Sequence, residues 1–223
     1  MGVILNIETA TKVCSIALGK KGQLLDYIDI LEDGYSHSEK LNVSIVDLLK
    51  RNNLSLTDLD AVAISEGPGS YTGLRIGTAS AKGFCYGKDI PLIAVNTLEA
   101  LANRTEIKEG VKVPLIDARR MEVFGGVFGI NNEEITHSFN YVIEEDSFES
   151  IKENKYFFGN GAEKLKEVFL NKKGYNFIDN IECSAKGMVT VSERKFINKE
   201  FEDTAYFEPN YGKEFYTTAS KNQ

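Results

Sequence analysis

The stretch that most constrains this chain is a glycine-rich loop, ISEGPGSYTGLRIG, at residues 64–77. The residues before it have the apolar pattern of a buried strand, and residues 71–86 have the spacing of a helix. A loop between a strand and a helix N-terminus presents backbone N–H groups that can hold an anion such as a phosphate. The unit therefore indicates an α/β fold, and it leaves two interpretations of the loop open: a tight structural turn or a phosphate cradle.

The loop fits neither standard phosphate-binding fingerprint. No Gly-Lys-Ser/Thr ends it, and after Gly67 and Gly69 the third position of a dinucleotide fingerprint is Thr72. The turn in NIETATKVCSIAL could also contact phosphate through Thr9, although threonine is common in ordinary hairpin turns. The candidate phosphate-binding residues are thus Thr9, Gly67 and Gly69.

The order of predicted elements indicates two related halves. Three short strands joined by tight turns open the chain, and helix, strand, helix, strand and helix follow. From Lys112 three strands, a linker or short helix, a strand and a helix repeat much of this order, although no residue-level repeat is visible. We predict an α/β protein with domains at residues 1–105 and 106–223, and an aromatic-rich tail that packs on the second half.

Charge and cysteine content exclude several classes of protein. With 26 Lys and Arg against 33 Asp and Glu the net charge is −7, so any RNA contact must be local or supplied by a partner. The three cysteines lie far apart without a CxxC pair, which argues against a disulfide framework and a thiolate metal site. The N-terminal apolar run is too short for a membrane span, and we expect a cytoplasmic protein.

Candidate catalytic residues are few. His37 lacks a second histidine three or four positions along, where Lys40 and Leu41 stand, and His137 has no acidic or cysteine neighbour at a ligand spacing. We therefore predict no metal site and no catalytic residue. The segment DARRMEVFGG predicts a strand–turn–strand junction that is either an ion-paired turn or a binding edge. Its charged residues are Asp117, Arg119, Arg120 and Glu122.

Five segments together resemble the TsaB family, whose members serve in threonylcarbamoyladenosine formation in bacterial tRNA. They are NIETATKVCSIAL, HSEKL, SEGPGSYTGLRIG, DARRMEVFGG and FEPNYGKEF, in this order and at family-like spacing. The resemblance implies an α/β fold of two related lobes, as in the actin-like ATPase superfamily with its RNase H-like units. It also implies a catalytically inactive subunit that acts with the transferase TsaD and the ATPase TsaE.

The resemblance further implies which activities are lost. Where TsaD-like catalysis uses a metal held by an HxxxH pair, this helix carries His37 and Leu41, and Asn6 stands where family members usually have Asp. We therefore expect at most weak binding of ATP or ADP, contact with tRNA only through the complex, and a homodimer when TsaD is absent. The alternatives are an autonomous glycoprotease-like hydrolase and a small ATPase.

Two predicted helices of the first half, residues 36–51 and 71–86, are the candidate partner surface. Small residues recur at every fourth position of the second helix and let a neighbour approach closely, and the first helix has more apolar residues than one buried stripe requires. We predict half of a four-helix bundle completed by TsaD or by a second copy, the alternative being that both helices pack only on their own sheet. The predicted interface residues are Leu41, Ile45, Leu48, Gly73, Leu74, Gly77 and Ala81.

Overall fold

The computed structural model describes residues 2–31, 37–169 and 171–212, without the side chains of residues 137–139. Ser36, the side chain of His137 and the tail beyond Gly212 lie outside this description, so the predictions made for them stay predictions. The described residues form two five-stranded sheets with helices packed against them.

The first sheet has the strand order β3-β2-β1-β4-β5. Its strands are β1 (Val3–Glu8), β2 (Val13–Lys20), β3 (Gln23–Leu31), β4 (Ala61–Gly67) and β5 (Leu92–Asn96). The first three form an antiparallel meander, and β4 and β5 run parallel to β1. This confirms the three strands and tight turns that the sequence predicts at the start of the chain.

Helices α1 (His37–Arg51) and α2 (Tyr71–Lys88) cover one face of this sheet, and the short α3 (Thr97–Ala102) follows β5. The predicted helix at residues 71–86 is confirmed. It begins directly after the glycine loop, because the Ser70 hydroxyl accepts a hydrogen bond from the N–H of Gly73 and caps the first turn.

The second sheet repeats the arrangement of the first, with the strand order β10-β9-β6-β7-β8. Its strands are β6 (Val111–Asp117), β7 (Glu122–Phe128), β8 (Glu134–Val142), β9 (Lys155–Phe158) and β10 (Tyr175–Phe177), and α4 (Glu163–Phe169) packs on it. Two sheets of the same order confirm the predicted two-lobed α/β fold. Between β8 and β9, where the sequence allows a linker or a short helix, residues 145–150 form turns.

The end of the described chain returns to the first lobe. After a 3₁₀ turn (Ala185–Met188), α5 (Val189–Asn198) packs on the face of the first sheet opposite α1 and α2. The N–H of Ala185 donates to the Ser15 hydroxyl at 2.8 Å and fixes this return. The boundary near residue 105 separates the two sheets, but the assignment of all residues from 106 to 223 to the second lobe is wrong, because this last segment completes the first core. The apolar residues in contact there are Ile4, Ala17, Ala63, Ile93, Met188 and Val191.

Candidate functional site: a junction of four motifs

Four of the segments that carry the family resemblance lie in one region of the structure, which we call the motif junction. It consists of the β1–β2 turn (residues 9–12), the glycine loop (67–70), the β6–β7 turn (118–121) and a C-terminal strap (202–212). The turns and loops lie at the carboxyl ends of β1, β4 and β6, the edge where ligand sites occur in many α/β folds. The contacts below join the first turn, the glycine loop and the strap, and the strap reaches β7 just beyond the β6–β7 turn.

The glycines of α2 accommodate the β1–β2 turn of the same chain. A Cβ atom on Gly73 would overlap the carbonyl oxygen of Thr9, and one on Gly77 would overlap the Thr9 hydroxyl and lie 2.9 Å from the Cδ1 atom of Ile64. The small residues at every fourth position therefore permit a close approach within the chain, where the sequence analysis expected a partner helix.

The predicted partner-interface residues lie in the core. Their side chains, or their backbone in the case of the glycines, are buried within the chain: Leu41, Ile45, Leu48, Gly73, Leu74, Gly77 and Ala81. As an exposed surface this set is wrong, because these positions form the sides of α1 and α2 that pack on the first sheet. Other residues of the same two helices remain exposed, among them Val43, Val46 and Tyr86.

The glycine loop uses its own backbone N–H groups for internal hydrogen bonds. The N–H of Gly67 donates to the Thr97 hydroxyl at 3.1 Å, and that of Ser70 donates to the carbonyl oxygen of Ala10 at 2.6 Å. Gly69 packs so closely on Ala10 that a Cβ would lie 2.6 Å from the Ala10 Cβ. This geometry favours the structural turn over the phosphate cradle, since an anion would have to displace these partners.

Of the candidate phosphate residues, the structure brings Thr9 and Gly69 into one packed layer but does not open them to solvent. Thr9 is fully buried, and its hydroxyl has no hydrogen-bond partner in the described part of the chain. Gly67 has φ +113°, a conformation suited to glycine, and the strap covers it.

The C-terminal strap crosses the first lobe and ends over the glycine loop. The ammonium group of Lys82 donates to the carbonyl oxygens of Ala205 and Phe207 at 2.9 and 3.1 Å. The N–H of Asn210 then donates to the carbonyl oxygen of Glu66 at 2.7 Å. The prediction that the tail packs on the second half is wrong for these residues, because they are bound to α2 and β4.

The last described residues of the strap link the two lobes. The Tyr211 ring packs against that of Tyr71, with centroids 4.6 Å apart, and the Arg75 guanidinium lies 5.2 Å from the Tyr71 centroid. A Cβ on Gly212 would lie 2.9 Å from Pro68 and 2.7 Å from Phe124, so the strap fits between the glycine loop and β7. Sequence reasoning noted both tyrosine-containing segments but had no signal that they touch.

The β6–β7 turn carries two adjacent arginines in the left-handed region, Arg119 at φ 70° and Arg120 at φ 50°. Asp117 accepts a hydrogen bond from the Arg119 N–H at 2.6 Å and is ion-paired with Lys164. Both arginines are exposed, and no ion pair involves either of them among the described residues. The turn thus combines the two predicted alternatives: its aspartate is ion-paired, and its arginines form a free cationic edge.

A buried carboxyl group lies at the end of β1, directly before the β1–β2 turn. Burial raises the pKa of Glu8 from 4.5 to about 7, and a 2.6 Å hydrogen bond from the Ala10 N–H offsets part of the rise. Burial also raises the pKa of the Cys183 thiol well above its usual value, and the Glu8 charge adds to that rise. The buried thiol therefore stays neutral near pH 7, whereas Glu8 can exchange a proton there.

The described residues hold no group of three or more His, Cys, Asp or Glu side chains suited to a metal ion. His37 is buried at the start of α1, four positions before the core residue Leu41. Within the same described part of the chain, every helix is too short or too polar to cross a bilayer.

Comparisons with known proteins agree on the family of this chain. Residues 34–211 match the family model of TsaD, described as tRNA N6-adenosine threonylcarbamoyltransferase. The tRNA threonylcarbamoyladenosine biosynthesis protein TsaB of Bacillus subtilis is 32% identical over 209 residues, which cover 89% of this chain and 88% of that protein. The protein of the same name from Escherichia coli K12 is 36% identical over 136 residues, 60% of this chain and 58% of the relative, so that match spans less than two thirds of the relative.

Solved structures agree on the fold. YeaZ from Pseudomonas aeruginosa superposes with a TM-score of 0.77 at 24% identity, covering 95% of this chain and all of that chain. A second structure from that organism, described as similar to peptidase YEAZ, gives a TM-score of 0.79 over 96% of this chain. At this level of identity the likeness concerns the two-lobed fold alone.

Proposed function

Because this chain belongs to the TsaB family, we propose that it is a non-catalytic accessory subunit of the machinery that forms threonylcarbamoyladenosine in tRNA. In this proposal a TsaD-type subunit transfers the threonylcarbamoyl group to adenosine, a TsaE-type ATPase assists, and this chain makes the transferase competent. The observation that carries the proposal is the 32% identity with the B. subtilis protein over 89% of this chain.

Two positions of the first lobe support a role other than catalysis. Leu41, which stands where an HxxxH pair would have its second histidine, is fully buried in the first core. Asn6, which stands where relatives usually carry Asp, is a buried neutral amide whose Nδ2 donates to the Ile4 carbonyl oxygen at 3.2 Å. Neither position offers the ligand or carboxylate that a metal-dependent transferase or ATPase would need.

The exposed sides of α1 and α2 support a partner surface, which we call the helical face. It comprises Val43, Val46, Ala79, Gly83 and Tyr86. Val43 is 70% exposed and Tyr86 is 88% exposed, which is unusual for large apolar side chains on packed helices. Gly83 has open space around it, because nothing lies within 4 Å of the position of a Cβ. Exposed apolar residues beside a small one suit a close-packed helix of a TsaD-type subunit, or of a second copy when that subunit is absent.

Co-purification with the host's TsaD-type subunit tests this surface. We expect Val43→Ser/Val46→Ser to abolish the complex, because two exposed valines lose the apolar contact, while the isolated variant keeps its thermal stability. The matched control is Ile130→Ser/Ile135→Ser, which changes two exposed isoleucines of the second lobe. Equal loss of binding in both variants, or unchanged affinity in the first, contradicts the proposed surface.

The competing functions are an autonomous hydrolase or ATPase. They are tested with the purified chain alone. If the chain turns over ATP or a peptide robustly, and if substitution of a residue of the motif junction abolishes that turnover, the chain is an enzyme in its own right and the accessory role is wrong.

A further inference from the structure

We propose that the outer rim of the motif junction is a contact site for a single-stranded segment of RNA, formed by Arg75, Arg119 and Arg120 around the Tyr71–Tyr211 ring pair. The inference rests on the proposed function for the class of ligand. It goes beyond that function by placing direct RNA contact on this chain, where the sequence analysis expected contact only through the complex.

The arginine turn carries a conformational cost that hairpin closure does not require. Residues other than glycine rarely adopt a positive φ, because the side chain crowds the backbone there. In this four-residue turn Arg119 and Arg120 both do so, with φ of 70° and 50°. Unfavourable backbone conformations of this kind are concentrated at functional sites, and here they present two guanidinium groups to solvent.

The tyrosine pair supplies surfaces for stacking. Tyr71 is 38% exposed, Tyr211 is partly exposed, and the two rings lie 4.6 Å apart. Arg75 donates to the Tyr71 hydroxyl at 3.1 Å and so holds its guanidinium beside the rings. Unpaired bases stack on aromatic rings and guanidinium planes, and guanidinium groups bind phosphates with two parallel hydrogen bonds.

The strap links the tyrosine pair to the strand that follows the arginine turn. Gly212, next to Tyr211, packs on Phe124, and Phe124 is four residues along the chain from Arg120, which limits their Cα separation to about 14 Å. Of the acids in the described part of the chain, Asp117 is ion-paired with Lys164, which reduces its effect on the arginines, and Glu208 adds a negative charge beside Tyr211. A chain of net charge −7 thus has a local cationic and aromatic edge, which suits an anionic ligand with exposed bases.

The test is fluorescence-anisotropy titration of a labelled single-stranded RNA with the full isolated chain at several salt concentrations. We expect binding at low salt and weaker binding of a duplex of the same sequence. Arg119→Gln/Arg120→Gln should lower the slope of log K against log salt by about 1.4, since each phosphate contact to a single strand contributes about 0.7. Tyr71→Leu should weaken binding about tenfold with the slope unchanged, because a stacked base is lost.

The matched control is Lys20→Gln/Lys21→Gln, which removes two exposed cations at the tip of the β2–β3 hairpin, at the opposite end of the first sheet. It should leave the affinity and the slope unchanged. Equal effects of the two double variants, equal affinity for the duplex, or no binding by the wild-type chain at low salt would overturn the site. A chain that fails these tests but still supports tRNA modification would refute this inference and leave the proposed function standing.

A second double variant tests the same site in case the two glutamines disturb the conformation of the turn. Arg119→Asn/Arg120→Gly replaces both arginines with residues that tolerate a positive φ, so we expect a higher Tm together with the same loss of RNA affinity. A more stable variant with wild-type affinity would show that the arginines do not contact RNA.

Discussion

Glu8 is the residue whose environment has the clearest consequence for the stability of the protein. Its carboxyl group is fully buried at the end of β1, and its pKa rises from 4.5 to about 7 because burial disfavours the charged form. The folded state therefore holds a proton between pH 4.5 and 7 that the unfolded chain releases. Stability must fall as the pH rises through this window, by about 3 kcal/mol for a shift of this size.

Glu8→Gln should remove this dependence, because the amide cannot ionise and its oxygen can still accept the Ala10 N–H. Urea unfolding should give the variant nearly the wild-type stability at pH 5 and up to about 3 kcal/mol more at pH 8. Burial also raises the pKa of Glu66 and Glu182, so a weaker slope of the same sign should remain in the variant. Parallel pH profiles of the two proteins would contradict the assignment to Glu8.

In helix α2, glycine occurs both at a position packed against the chain itself and at a position open to solvent. Gly77→Ala should cost about 1–3 kcal/mol, because the new methyl group would overlap the buried Thr9 hydroxyl. Gly83→Ala should instead stabilise the isolated chain by up to about 1 kcal/mol, since its site is open and alanine favours the helix. Thermal unfolding of the pair checks this, and a loss of stability at Gly83 equal to that at Gly77 would be incompatible with the packing described here.

Several elements could be predicted from the sequence because their signals are local. The meander β1–β3, the helix after the glycine loop and the β9–α4 pair all have clear periodicity or clear turns. Helix α5 and the short strand β10 were not predicted. The contact of the strap with Glu66 depends on backbone hydrogen bonds between segments more than a hundred residues apart, which no periodicity records.

The candidate site, too, could be predicted only in part from the sequence. The assignment of Thr9, Gly67 and Gly69 to phosphate binding stays a prediction, and the sequence could not show that Thr97 and Ala10 accept the N–H groups of Gly67 and Ser70. For α1 and α2, periodicity identified the apolar side of each helix, and that side is the core. Val43 stands out in the sequence only as one of more apolar residues than a buried stripe requires, and Gly83 has no such signal, because a partner surface has no periodicity of its own.

At the scale of the whole molecule, the return of the chain to its first lobe explains why two similar sheets do not make two independent halves. β1 and β4 are buried on both faces, so their sequences are almost continuously apolar, which indicates that something must cover the second face. The sequence does not say what covers it; in the structure α5 does. The strap then closes the motif junction between the lobes.

The central claim is that this closed, two-lobed chain serves another subunit. The most direct measurement is reconstitution of threonylcarbamoyladenosine formation on tRNA with the host's TsaD-type transferase, TsaE-type ATPase and carbamoyl-adenylate synthase, with and without this chain. The accessory role predicts modified tRNA only when the chain is present, with Val43→Ser/Val46→Ser failing to replace it. Formation of the modified nucleoside at the same rate without this chain would contradict the account.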